Sequence, residues 1–449
     1  MTALHDALAT PGPTSGTDLD PAVWPATATR VAGVLHIGGV DVRDLAAEHG
    51  TPAYVLDEAD LRGRMRAWRG AFDGALVYYA GKSFLSVAVA RWLAEEGLSL
   101  DVSTGGELAV ALKAGFPTER VLFHGNNKSV AELERALEVG VGRIVVDSEL
   151  ELARLAFLAE RAGVRQPVYL RITPGVEAHT HEAISTGQED QKFGFSLASG
   201  AAAEAVRRVL ALPSLELAGL HCHIGSHIFD TSGFSLAAHR MVGFLAEIRD
   251  THGVELVELD LGGGMGIAYT SSDDPEPVEQ LAAELRGIVE RECAAAGLAV
   301  PRLAVEPGRA ISGPSTVTLY EVGTIKDLPG LRTYVSVDGG MSDNLRTALY
   351  DARYTAVLAS RQPAGEARLS RVVGKHCESG DVVVRDVDLP VDLAPGDLLA
   401  VPASGAYHRS MANNYNQVGR PPVVAVRDGE SKVIVRRETE DDLLRLDVG

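Results

Sequence analysis

Residues 98–114 read LSLDVSTGGELAVALKA. The apolar run LSLDV passes through Ser103 and Thr104 into a helix-like stretch, 105–114. The same order recurs from residue 51 to 310. Strand-like runs lie at 76–80 (LVYYA), 98–102, 121–124 (VLFH), 143–147 (RIVVD), 168–172 (VYLRI), 217–223 (LAGLHCH), 256–261 (LVELDL) and 302–306 (RLAVE). Helix-like stretches such as 148–162 and 276–297 separate them. The runs are almost continuously apolar rather than alternating, the pattern of parallel strands buried on both faces. Eight such units over about 230 residues predict a (β/α)8 TIM-type barrel. An open doubly wound sheet is the alternative, and eight units in a row favour closure.

Beyond about residue 311 the pattern changes. VTLYEVGTIK (317–326), TYVSV (333–337), SRVVG (370–374), DLLAVP (397–402), VVAVR (423–427) and KVIVR (432–436) are short strands divided by Gly, Pro and Asp turns. They predict a C-terminal β-sandwich or β-barrel domain. The strand-like segment 31–43, VAGVLHIGGVDVR, is expected to join that sheet. The predicted organisation is 1–50 as a tail and strand packing with the β domain, 51–310 as the barrel, and 311–449 as the β domain.

The chain has 449 residues, 61 acidic against 42 basic, for a formal charge of -19. That surface repels nucleic acid and anionic lipid, so neither is expected as a partner. No apolar run approaches the roughly 20 residues that span a bilayer. Cys222, Cys293 and Cys377 have neither disulfide-framework nor zinc-knuckle spacing, which suggests a reduced, cytoplasmic protein with two of the thiols buried. Pro11, Gly12, Pro13, Ser15 and Gly16 read as a flexible tail rather than a signal peptide.

Polar and glycine residues gather just after the strand-like runs: Lys82, Ser103, Asn126, Arg171, His223, Gly262–Gly264, Glu306 and Arg309. In a TIM barrel that face carries the active site, and the loops after strands seven and eight often hold a phosphate. Gly262, Gly263 and Gly264 lack Cβ atoms, so their amides can approach a phosphate, and Gly225 and Ser226 add donors one unit earlier. Lys82, at the end of a buried strand, is expected to be costly to desolvate, and a neutral amine there can form a Schiff base. On position alone the commoner reading is a rim lysine, snorkelling or paired with Glu306. His221, His223 and His227 allow a metal, a structural imidazole or a ring stacked on an aromatic cofactor; no ligand set is completed, so no metal is expected. Within EPGR (306–309), which also holds Gly308, Glu306 could keep a cofactor's ring nitrogen protonated, and Arg309 suits a carboxylate. In 374–381, GKHCESGD, Cys377 could donate a proton and Glu378 could pair with an ammonium; taken alone, a buried cysteine and a turn glutamate are the commoner reading. Arg346, Tyr350, Tyr407 and Tyr415 are weaker candidates.

Taken together, TPAYVLDEADLR, YYAGKS, DVSTGGEL, THEAISTGQEDQKFGF, HCHIGSH, LDLGGGMG, EPGR, DGGMSDN, KHCESGD and GAY resemble the diaminopimelate decarboxylases. These are enzymes of the alanine-racemase-like group that use pyridoxal 5'-phosphate (PLP). The resemblance runs from about residue 31 to about 425. It implies decarboxylation of meso-2,6-diaminopimelate to L-lysine, the last step of lysine biosynthesis. Lys82 would be the Schiff-base lysine, and His223 would stack on the cofactor ring. Ser226, Gly262–Gly264 and Tyr407 would hold the phosphate, with Gly308 and Arg309 beside them, and Glu306 would meet the pyridine nitrogen. Arg309, Arg346, Tyr350 and Tyr407 would bind substrate, and Glu378 would recognise the amine at the D-configured centre. Cys377 would come from a partner subunit and protonate Cα, which implies a homodimer with shared sites. The sequence departs from the family pattern at Ser83 and Phe84 (usually Ala and Asn), His227 (usually Gln), and Leu345 and Thr347 (usually Pro).

Overall fold

The computed structural model describes residues 19–176 and 192–449. The Pro11–Gly16 tail and residues 180–191 of the THEAISTGQEDQKFGF motif lie outside the described residues. The chain forms two units. One comprises residues 19–59, Ala268–Asp274 and Pro314–Gly449; the other comprises the described residues of Asp60–Ile267 together with Pro275–Gly313.

The first unit opens with β1 (Thr29–Val31), β2 (Val34–Ile37) and β3 (Val40–Asp41), an antiparallel meander of its own. Helix α1 (Val42–His49) follows, capped by the Asp41 carboxylate on the Arg43 amide. The stretch 31–43 therefore does not join the C-terminal sheet. The strand that does is β4 (Ala53–Asp57), on the far side of the boundary read from the sequence at residue 50. All five of its residues are buried. A strand covered on both faces carries no alternating signal, so AYVLD reads like a barrel strand until its partners are known.

Helix α2 (Glu58–Ala71) leads to the barrel, whose strands β5 (Leu76–Ala80), β6 (Ser99–Val102), β7 (Val121–Phe123), β8 (Arg143–Val146) and β9 (Gln166–Thr173) come first. After the two-residue β10 (Phe195–Ser196) come β11 (Leu215–His221), β12 (Glu258–Asp260) and β13 (Arg302–Val305). Apart from β10, which pairs only at the edge of β9, these eight strands correspond one for one to the eight apolar runs. They pair in parallel from β5 round to β13, and β13 pairs with β5 through Ala304–Leu76 and Val305–Val77, closing the barrel. The helices between them are α3 (Val87–Glu95), α4 (Gly105–Ala114), α5 (Val130–Val139), α6 (Glu149–Ala162), α7 (Ala201–Leu210), α8 (Ser232–His252) and α9 (Val278–Ala296). Ser86, Thr104, Ser129 and Ser148 cap α3 to α6. Each such cap contributes about 1 kcal/mol, so every βα loop ends where its cap falls. Inside the barrel, Tyr78, Leu122, Val145, Tyr169 and Ala304 pack together. Below them Arg143 and Glu258, the first residues of β8 and β12, form a bidentate ion pair, and the Tyr169 hydroxyl donates to Glu258 at 2.8 Å. With its inner half filled this way, the barrel keeps its chemistry at the opposite, C-terminal mouth.

The short helix α10 (Arg309–Ser312) ends the barrel unit. Then come β14 (Thr316–Leu328), β15 (Arg332–Val337), α11 (Arg346–Tyr350), β16 (Val357–Leu358), β17 (Ala367–Val373), β18 (Val382–Pro390), β19 (Leu398–Val401), β20 (Val423–Arg427) and β21 (Glu430–Val435). One path runs β18-β17-β15-β14-β4-β20-β21, with β19 pairing both β14 and β16. The core of this unit joins Val55, Val317, Leu319, Leu398, Ala400, Val424 and Val426 to Trp24, Leu35, Ile37 and Leu45. The β1–β3 meander thus supplies core residues without pairing into the larger sheet. Among the described residues, no helix is long and apolar enough to cross a membrane.

Candidate active site

The barrel mouth collects side chains from nearly every strand end. Lys82 stands in a tight turn after β5. The turn is pinned by Gly81 N to Asp101 O at 3.0 Å, Ser83 Oγ to Ala80 O at 2.9 Å, and Ser312 Oγ to Ser83 Oγ at 3.2 Å. The Tyr79 hydroxyl donates to Phe84 O at 2.7 Å. Ser83 and Phe84, two departures from the family pattern, are thus built into the support of the lysine turn. Gly308 packs on the same turn: a Cβ there would lie 2.9 Å from the Ala80 Cβ. Lys82 itself is exposed, so the desolvation expected at a strand end is not found. What surrounds it is charge, because its ammonium acts on Asp101, Glu107 and His223. Ser103 gives its amide to Glu107 at 2.6 Å, and Asn126 lies in the loop after β7.

The three glycines after β12 have no room for side chains. A Cβ on Gly262 would lie 2.5 Å from Cys222 O, on Gly263 2.2 Å from Glu306 O, and on Gly264 2.2 Å from Gly225 O. The loop after β11 runs alongside, with Ile228 N on Gly264 O at 2.9 Å and Gly266 N on Ile228 O at 2.8 Å. Ser226 lies on that loop and accepts a hydrogen bond from Arg309 Nη2 at 2.9 Å. This places the buried Arg309 beside the residues expected to hold a phosphate. Gly263 N donates to His223 Nδ1 at 3.2 Å, so the proton of this neutral ring sits on Nε2. Burial, then the charges of Lys82 and Arg171, depresses the basicity of His223. His227 instead meets the edge of Phe229, with ring centroids 4.6 Å apart.

Glu306, just after β13, is buried. His124 Nε2 contacts its Oε1 at 2.6 Å, and His221 Nε2 lies 3.4 Å from the same oxygen. Burial alone would raise this carboxyl's pKa; the two imidazoles outweigh it and hold Glu306 as an anion. The neighbouring carboxyls move the other way. Burial and the charge on Glu306 push Asp260 well up, and burial lifts Asp101 to about 7. His221 falls to about 4, chiefly through burial, and is therefore neutral near pH 7. Arg171 lies 3.8 Å from Asp147. His124, Asp101 and Asp260 were not singled out in the sequence. The signal was available, since His124 ends its strand-like run and Asp101 and Asp260 stand one residue before the ends of theirs.

The remaining candidates belong to the β unit. Arg346 is buried and donates to Tyr269 at 2.7 Å and Tyr354 at 2.5 Å, its guanidinium stacked 4.9 Å from the Tyr269 ring. Where the family usually has prolines, Leu345 precedes α11 and Thr347 bonds Val383 O at 3.1 Å. Tyr350 and Tyr407 are partly buried, Tyr407 with φ +63°. Cys377 and Glu378 are exposed, against the buried cysteine that chemistry alone favours, while Cys222 and Cys293 are buried. Their loop is rigid: Asp381 accepts from Met341 N at 2.6 Å and His376 N at 2.8 Å, and His376 Nε2 meets Ser342 Oγ at 2.8 Å. Glu378 accepts from the Tyr415 hydroxyl at 2.8 Å.

A lysine, a run of tightly packed glycines and a buried carboxylate thus meet at one barrel mouth. Residues 58–313 match the family model "Pyridoxal-dependent decarboxylase, pyridoxal binding domain". The diaminopimelate decarboxylase of Mycobacterium tuberculosis is 57% identical over 440 residues, covering 96% of this chain and 98% of the relative. That of Bacillus subtilis is 49% identical over 420 residues, covering 93% and 95%. The crystal structure of the M. jannaschii diaminopimelate decarboxylase with L-lysine superposes with a TM-score of 0.89 at 33% identity, covering 95% of this chain and 98% of the other. The fold is that of a pyridoxal-dependent decarboxylase with a barrel and a sheet domain. Within that class, the chain belongs to the diaminopimelate decarboxylase family.

Proposed function

We propose that this enzyme takes meso-2,6-diaminopimelate to L-lysine and carbon dioxide, the last step of lysine biosynthesis, with PLP held on Lys82. The observation that carries the reading is Glu306, a buried carboxylate kept anionic at the barrel mouth in the same unit as a glycine cradle. The residues present fit the cofactor. Gly262–Gly264 lie so tight against the backbone of Cys222, Gly225 and Glu306 that only glycine is accommodated, Arg309 and Ser226 supply a cation and a hydroxyl on the neighbouring loops, and Glu306 suits a protonated ring nitrogen. When bound, PLP supplies the sink for the electron pair released as the Cα–carboxylate bond breaks.

The chain's own groups bind and orient. Lys82 would hold the cofactor through its amine. His223, fixed by Gly263, presents the face of a neutral ring. In the barrel unit Arg309 would serve the phosphate and a substrate carboxylate; in the β unit Arg346, Tyr350 and Tyr407 are the residues suited to substrate, Tyr407 also to phosphate. Glu378 pairs with the ammonium at the D-configured centre, its carboxylate aimed by Tyr415. Cys377 delivers the proton that replaces the lost carboxylate. The exposure of Cys377 and Glu378 on a rigid loop supports their use by a second copy of the chain, hence a homodimer. Three unpaired cysteines support a reducing, cytoplasmic setting.

The test is carbon dioxide release from meso-diaminopimelate by protein supplied with PLP, beside Lys82→Ala and Glu378→Ala. Activity in the wild type and its loss in both variants supports the assignment. Silence on diaminopimelate with activity on ornithine, lysine or arginine would keep the cofactor and overturn the substrate.

A further inference from the structure

Glu306 is hydrogen-bonded by His124, with His221 close beside it, and none of the expected roles uses either residue. His124 follows β7 and His221 ends β11, two strands that are not neighbours in the barrel. Both rings reach one oxygen, Oε1, at 2.6 and 3.4 Å, and the rings meet edge-on with centroids 4.8 Å apart. The other groups facing this cluster are the carboxyls of Asp101 and Asp260 and the guanidinium of Arg171.

These three side chains are also the cluster among the described residues whose donor atoms lie close enough to suggest a metal, all within 4.8 Å of one another. The distances decide against it. Two ligands about 2.0–2.1 Å from a tetrahedral zinc stand about 3.3 Å apart. A separation of 2.6 Å between His124 Nε2 and Glu306 Oε1 is that of a hydrogen bond to a charged acceptor.

Resting on the reading that Glu306 meets the cofactor's ring nitrogen, we propose that His124 is a positioning residue, whose Nε2–H, with His221 beside it, fixes Oε1 of Glu306 and turns Oε2 toward that nitrogen. A buried carboxylate with no such donor would take up a proton or swing toward another partner, and either change would weaken its hold on a protonated ring. His124 touches neither substrate nor cofactor in this role; it acts through Glu306.

Holoenzyme reconstituted with PLP supplies the test. Loss of a hydrogen bond to a charged group moves an equilibrium by about 10- to 100-fold. His124→Ala is therefore expected to weaken PLP binding, read by fluorescence titration of the stripped enzyme, by about that factor. At saturating PLP, kcat should fall while KM for diaminopimelate stays within about 2-fold, because substrate contacts are untouched. His124→Gln, whose amide can sit near the Nε2 position, should recover most of both; His124→Asn, which reaches only as far as Nδ1, should not. If His124→Ala does not fold, the Gln and Asn pair carries the test, and equal behaviour of the two overturns the proposal. In a Glu306→Gln background, His124→Ala should add less than about 3-fold, since the group it positions has been changed. Full additivity, or a stability loss in His124→Ala with PLP affinity and kcat unchanged, overturns it. If Glu306→Gln by itself leaves PLP affinity and kcat unchanged, the placement of Glu306 at the ring nitrogen falls first, and this inference with it.

Discussion

The hydroxyl of Tyr415 donates to Oε2 of Glu378 at 2.8 Å, tying a residue of the 404–416 segment to the loop that carries Cys377. The contact raises the phenol's pKa, through its bond to the Glu378 carboxylate and then through that charge, and it leaves the carboxylate directed. Tyr415→Phe removes the donor and keeps the ring, which lies tilted on His376 at 5.4 Å. KM for diaminopimelate is expected to rise about 3- to 15-fold with kcat nearly unchanged, in steady-state assays. A fall in kcat at constant KM would mean that the contact serves the chemistry rather than binding.

Gly263 has a backbone neighbour where its side chain would go. A Cβ would lie 2.2 Å from the Glu306 carbonyl oxygen, which belongs to a strand end and cannot rotate away. Gly263→Ala should cost about 1–3 kcal/mol. It should also displace the amide that fixes His223, so PLP content per chain, read by absorbance after dialysis, should drop severalfold. Gly70→Ala, in α2 with nothing within 4 Å of its Cβ, is the control for effects that do not reach the site.

Glu258 should matter for stability and not for catalysis. It accepts two bonds from Arg143 and one from Tyr169, deep in the barrel. Glu258→Ala strands a partly buried guanidinium and is expected to cost about 3–5 kcal/mol in denaturant unfolding. The variant's kcat per folded chain should remain within about 2-fold, since the mouth is built by the opposite ends of the same strands.

Asp343 ties stability of the β unit to pH. It accepts from Tyr320 and from Gly340 N, and burial lifts its carboxyl to about 7. Below about pH 4 the proton is held in both the folded and unfolded states, and no penalty arises. Between about 4 and 7 the unfolded chain ionises first, so this group lowers stability as pH rises, by on the order of 4 kcal/mol at the upper end. Asp343→Asn is expected to show a stability advantage over wild type that grows from pH 4 to pH 7 in denaturant titrations. A constant difference across that range would show that Asp343 ionises in the folded protein.

The sequence by itself determined the architecture. Eight apolar runs, each with polar or glycine residues within a few positions of its end, encode buried parallel strands with a reactive mouth, because both strand burial and helix capping are local properties written in neighbouring residues. The positions of Lys82, Gly262–Gly264, Ser226, Glu306 and Arg309 could be read for the same reason: each stands just after a strand. Tertiary structure alone decided which strand completes the second sheet, since AYVLD and VAGVLHIGGVDVR differ not in apolar pattern but in the partners that cover them. It alone revealed the exposure of Lys82, which depends on what packs over a strand end. It alone joined His124 to Glu306, 182 positions apart in the chain. A hydrogen bond between the ends of non-adjacent strands leaves no periodicity in either segment; only the closure of the barrel brings the two side chains together.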